Sequence, residues 1–87
     1  MTRYMVIETF LENCLEKVYE RYRSQGRMLP EGLNYLDSWL TKDRTSCFQL
    51  METERYELFE EWTQKWDDLT HFEIIEIGEK PKKGSNR

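Results

Sequence analysis

The sequence predicts an α+β fold with the element order β-α-β-β-α-β, and three observations carry that prediction. Four segments alternate with the period of a strand: RYMVIET (3–9), LNYLDSWL (33–40), SCFQLME (46–52) and HFEIIEI (71–77). Two intervening segments space their apolar residues at helical intervals instead. Only the polar stretch TKDRT separates the middle two strands, which suits a hairpin. Together these give the split-βαβ or ferredoxin-like arrangement. It is a four-stranded antiparallel sheet in spatial order 4-1-3-2, with both helices on one face and the other face uncovered.

Each element has its own signals. The first strand places Tyr4, Val6 and Glu8 on one side and Met5, Ile7 and Thr9 on the other. Asn13, with Glu16 three residues on, suits a helix N-cap and its reciprocal acceptor. Leu15, Val18, Tyr19 and Tyr22 then form one stripe, and Gly26 is a natural stop. Pro30 and Gly32 make a turn into the second strand, where Tyr35, Asp37 and Trp39 alternate with Leu36, Ser38 and Leu40. The hairpin loop has no glycine, so its turn type is not specified. Thr53 suits the cap of a second helix, in which Leu58, Phe59, Trp62, Trp66 and Leu69 form a broad core stripe. Glu57, Glu60, Glu61 and Asp67 make its solvated face. Residues 1–78 read as a single domain and residues 79–87 as a disordered basic tail.

Composition narrows the classes of function. A domain of 87 residues buries only roughly 60–65% of the surface its unfolded chain exposes, so coverage by a partner would help it. Three Trp, five Tyr and four Phe nevertheless mark a chain that folds. The net charge is −4, but the terminal KPKKGSNR holds four basic groups and no acidic one. The rest carries nine basic against seventeen acidic side chains, a net −8 that disfavours nucleic acid as a partner. SCFQLME also lacks the basic-aromatic pattern of an RNA-recognition strand. No apolar run approaches the ~20 residues of a membrane span, and Met1 to Phe10 is not leader-like, so a cytoplasmic location without membrane contact is expected. Cys14 and Cys47 read as free thiols there. No metal-ligand spacing, phosphate-binding glycine loop or Ser/His/Asp grouping is present, so no cofactor is expected.

If Met5/Ile7, Leu36/Leu40 and Phe48/Leu50 are the sets that meet the helices, alternation sends Val6, Glu8, Tyr35, Asp37, Trp39, Cys47, Gln49 and Met51 to the open face. Such a face is too apolar for a solvated surface and predicts a homodimer joined through it.

The segments YMVIET, GRMLPEGLNYLDSW, CFQLMET and LFEEWTQKWDDL resemble a family of small bacterial proteins known as domain of unknown function 3303, over the chain up to about Ile77. The resemblance implies membership of the dimeric α/β-barrel group, in which two ferredoxin-like sheets meet through their open faces. That group includes monooxygenases, isomerases and haem enzymes, so it implies no particular reaction and no catalytic residue. The single histidine, His71, opens a strand, where a solvated or capping role is expected.

The candidate pocket or dimer-seam residues are therefore Glu8, Tyr35, Asp37, Trp39, Cys47, Gln49 and Met51. Two readings follow. Glu8, Asp37 and Gln49 are polar groups in a partly apolar chamber between the sheets, where they would bind or convert a small organic molecule, with an acid of raised pKa exchanging a proton. Alternatively they hydrogen-bond to one another across the seam and set the dimer's register, in a non-catalytic interaction module. Cys47 has nothing nearby in sequence to lower its pKa and reads as an inert thiol.

Overall fold

The computed structural model describes residues 1–81. Strands β1 (Thr2–Phe10), β2 (Asn34–Leu40), β3 (Ser46–Thr53) and β4 (Thr70–Ile77) alternate with helices α1 (Leu15–Gln25) and α2 (Glu57–Thr63) in the expected order. The sheet runs β2-β3-β1-β4 with every neighbour antiparallel, which is the expected ferredoxin-like order seen from the other edge. The expected basic tail lies outside the described residues from position 82 onward.

The second helical stripe forms the core as expected: Leu58, Phe59, Trp62, Trp66 and Leu69 are all buried. Of the α1 stripe only Val18 is buried, with Leu15 and Tyr19 half-buried and Tyr22 exposed. Tyr4 of β1 meets Phe59 edge-on with ring centroids 5.0 Å apart, and Phe72 of β4 lies 5.4 Å from Trp62. Gly26 ends α1 at φ 70°, its N–H donating to the Tyr22 carbonyl at 2.7 Å.

Helix starts differ from expectation. Asn13 adopts φ 62°, and Cys14 is the residue before α1. Asparagine tolerates the left-handed region, so Asn13 turns the chain instead of capping it. Thr53 ends β3, and its Oγ1 accepts from the Arg55 N–H at 3.1 Å, bending the chain before α2. Beyond Thr63 the chain continues to Leu69 as turns held by bonds such as Trp66 N–H to Thr63 O, so the apolar stripe outlasts the helix. The glycine-free hairpin is explained by Asp43, whose Oδ1 accepts from the Thr41 and Thr45 hydroxyls at 2.8 Å while Arg44 takes φ 65°.

The assignment of sheet faces is overturned. Tyr4, Val6, Glu8, Gln49, Met51 and Thr53 are buried beneath the helices, whereas Leu36, Trp39 and Phe48 are exposed and Met5, Ile7 and Leu50 are only partly covered. Alternation determines which residues share a face but not which face the helices take. Both faces of β1 and β3 carry comparable apolar side chains. In β2 even the parity breaks, because the register shifts between Tyr35, opposite Met51, and Asp37, opposite Leu50. The extra residue, Leu36, is a bulge that turns Tyr35 towards the helices and leaves Asp37 and Trp39 on the open side.

Candidate functional site

A cavity of about 240 Å³ lies between the helix-facing side of the sheet and the two helices. Its floor is built by β1 and β3. Glu8 and Gln49 are only 6% and 5% exposed, and Gln49 Nε2 donates to Glu8 Oε1 at 2.9 Å. No described buried side-chain nitrogen or oxygen lacks a partner. Among the described residues Glu8 Oε2 and Gln49 Oε1 have no hydrogen-bond partner, so both retain some accessible surface. Burial raises the Glu8 carboxyl to about 7, against the opposing pull of the Gln49 hydrogen bond and the Arg27 charge.

The walls are mostly apolar: Phe10, Val18 and Leu40, with Trp62 and Trp66 reaching in from α2 and the turn after it. Cys47, opposite Glu8 on the neighbouring strand, also lines the cavity. Burial and the nearby Glu8 push its thiol up, away from the reactive thiolate. Both cysteines are free.

The rim is formed by the segment that follows Gly26. Trp62 Nε1 and Trp66 Nε1 both donate to the Arg27 carbonyl, at 2.9 and 3.1 Å. Met28 is held at φ 59°, a conformation a long side chain seldom adopts, while Lys65 Nζ donates to its carbonyl at 3.2 Å. The backbone so pinned directs the Arg27 guanidinium over the Tyr35 ring, 3.6 Å from its centroid, with the Tyr22 ring at 5.2 Å. Arg21 fastens α1 across to the far wall through a bidentate pair with Asp68 at 2.9 and 2.8 Å.

Of the residues expected from sequence, Glu8, Cys47 and Gln49 meet at this cavity, Tyr35 supports its rim through Arg27, and Met51 is buried in the adjoining core. Asp37 and Trp39 are on the opposite face and take no part. This cavity is thus within one chain, under the helices. Sequence reasoning missed Arg27, Ser38, Tyr19 and Tyr22 as lining residues. The one available sign was Arg27 itself, a lone cation between a helix-ending Gly26 and the apolar Met28-Leu29-Pro30.

The fold and cavity define a small ferredoxin-like α+β domain with an internal pocket. The chain belongs to the family described as Domain of unknown function (DUF3303), whose model matches residues 2–77, from the first residue of β1 to the last of β4. No curated protein and no solved structure matches it. Among the described residues no helix is long and apolar enough to cross a membrane, and no group of three His, Cys, Asp or Glu side chains is placed to hold a metal ion.

Proposed function

We propose that the protein binds a small organic molecule in the cavity beneath its helices. The observation that carries this reading is the pair of oxygens without a partner among the described residues, Glu8 Oε2 and Gln49 Oε1, set at the floor of a mostly apolar pocket. Polar groups in such a place cost stability unless something bonds to them, and a few convergent polar atoms in an apolar cleft are how small-molecule sites are commonly built. Glu8, titrating near neutrality, is the group that would exchange a proton with the bound molecule if it is converted. The two free thiols suit a reducing, cytoplasmic setting.

The test is a thermal-shift screen of small aromatic and hydroxylated compounds, followed by indole N–H spectra. Trp62 and Trp66 lie at the cavity and Trp39 on the opposite face, 51% exposed, so the protein carries its own control. Stabilising compounds that move the Trp62 and Trp66 signals support the reading. Compounds that move only Trp39 would overturn it.

A second reading concerns assembly. The uncovered sheet face presents Met5, Ile7, Trp39, Phe48, Leu50 and Ile75 side by side, an exposed apolar patch of the kind that marks an interface. This supports a homodimer of the dimeric α/β-barrel kind, with the seam made by these residues and the ligand site left inside each chain.

A further inference from the structure

Arg27 is a cation whose hydrogen-bonding capacity is unspent. Among the described residues it forms no ion pair, and its one side-chain hydrogen bond is a long 3.4 Å contact from Nη1 to the Tyr22 hydroxyl. A guanidinium carries five N–H donors in a planar fork and does not deprotonate in proteins. Packing its face on Tyr35 occupies the π-surface and leaves the in-plane donors available. The two indole bonds to its carbonyl hold the segment in place before any ligand arrives.

Building on the cavity reading above, we infer that the ligand is a single-ring planar carboxylate with a hydroxyl at its far end, its carboxylate held by the Arg27 fork at the rim and its hydroxyl by Glu8 and Gln49 at the floor. Four features of the site select that chemistry. A bidentate fork matches a carboxylate better than any neutral acceptor. The Phe10, Trp62 and Trp66 walls take a flat apolar body. The cavity falls below the ~300–1,000 Å³ of sites for drug-sized molecules, which limits the body to about one ring. A hydroxyl both donates and accepts, so with Glu8 protonated it accepts from the Glu8 carboxyl O–H and donates to Gln49 Oε1, and with Glu8 ionised it donates to one of the two oxygens. A cationic ligand would meet Arg27 at the rim, and a neutral hydrocarbon would leave the floor oxygens and the fork unsatisfied.

The test uses the full chain with 4-hydroxybenzoate, its methyl ester and benzoate as probes, read by calorimetry and by the indole signals. Charged hydrogen bonds of this kind correspond to about tenfold or more in affinity. The acid should therefore bind at least about tenfold tighter than its ester while moving Trp62 and Trp66, and benzoate should bind more weakly than 4-hydroxybenzoate. Arg27→Gln should abolish the preference for acid over ester, and Arg27→Lys should keep part of it. If Arg27→Gln loses its native indole dispersion, the acid-to-ester ratio in the unaltered protein decides alone. Equal binding of acid and ester, benzoate binding as tightly as 4-hydroxybenzoate, or an acid preference that survives in a folded Arg27→Gln, would overturn the assignment yet leave the cavity reading standing. Silence of Trp62 and Trp66 towards these probes overturns the assignment; silence towards the whole screen brings down the cavity reading as well.

Discussion

Gln49 Nε2 donates to Glu8 Oε1 across the β1–β3 pair, although the two residues are not opposite one another: Val6 faces Gln49, and Cys47 faces Glu8. The contact is the diagonal one, between side chains offset by two residues on neighbouring strands, which long side chains can span. It accounts for a glutamine between Phe48 and Leu50. A carboxyl on the helix-facing side of the sheet needs a donor, and no lysine or arginine forms an ion pair with it among the described residues. The amide supplies one bond and leaves one oxygen of each group for the cavity.

Stability should fall as pH rises through neutrality, and Glu8 should be the cause. Its carboxyl is raised from 4.5 to about 7 in the folded state, so the folded chain holds that proton more tightly than the unfolded one. The contribution is complete below the unfolded value and is lost as pH climbs through the folded value, on the order of 2 to 3 kcal/mol between pH 5 and pH 8. Asp43, Glu57 and Asp68 are shifted the other way, so their contributions are lost as pH falls below about 5 and do not add to this drop. Denaturant midpoints of the unaltered protein should drop between pH 5 and pH 8, while those of Glu8→Gln stay nearly level. An equal drop in the variant would place the effect elsewhere.

Gln49→Leu should be costly in a pH-dependent manner. Removing the donor strands Glu8 Oε1, at about 1–3 kcal/mol, and the loss should be larger at pH 8, where the acid is charged, than at pH 5. Adding Glu8→Leu to the same chain should recover much of it, because neither polar group is then left alone. A double-mutant cycle by urea unfolding measures this directly, and additive losses would show that the bond contributes nothing.

The element order and the core stripe from Leu58 to Leu69 were legible because turn signals and apolar spacing are local properties. The orientation of the sheet was not. Tyr4 and Val6 on one side of β1 are as apolar as Met5 and Ile7 on the other, so apolar patterning does not choose between the faces, and the side that holds Glu8 and Gln49 is the buried one. Inside, they satisfy each other through a diagonal contact that spans 41 residues of sequence, which no local pattern announces. The β2 bulge has no Gly or Pro to mark it, which is why Tyr35 and Asp37 were placed on one face and belong to two. Arg27 reaches the site through a carbonyl bonded by two indoles 35 and 39 residues later, again a non-local fact.

Gly32 and Gly26 offer a matched comparison of backbone strain with and without steric contact. Both have positive φ, at 100° and 70°, but a Cβ at Gly32 would lie 3.0 Å from Leu58 Cδ1, whereas nothing lies within 4 Å at Gly26. Gly32→Ala should therefore destabilise by roughly 1–3 kcal/mol and Gly26→Ala by less. In a domain of this size each kcal/mol corresponds to about 4–8 °C in thermal midpoint, so melting curves resolve the difference. Equal losses would mean that Leu58 yields to the new methyl group.

The last prediction concerns the uncovered face. Across the sheet, Asp37, Leu50, Met5 and Ile75 form one row and Trp39, Phe48, Ile7 and Glu73 the next. Polar contacts bound them at either end, Arg3 with Glu52 at 3.8 Å and Thr9 with Ser46 at 3.4 Å. At strand spacings of about 4.8 Å and rises of about 3.3 Å per residue, such a face projects roughly 500 Å² per copy. Two of them reach the lower edge of a specific interface before side-chain relief is counted. Phe48 lies inside this band and is 36% exposed in the single chain, so Phe48→Glu should cost the isolated fold little and place a charge in the middle of the seam. Light scattering at micromolar concentration should give twice 10.7 kDa for the unaltered protein and 10.7 kDa for Phe48→Glu, with Trp39 emission moving to the red as its ring meets water. An unaltered protein that already scatters at 10.7 kDa would refute pairing through this face, and a dimer indifferent to Phe48→Glu would place the seam on another surface.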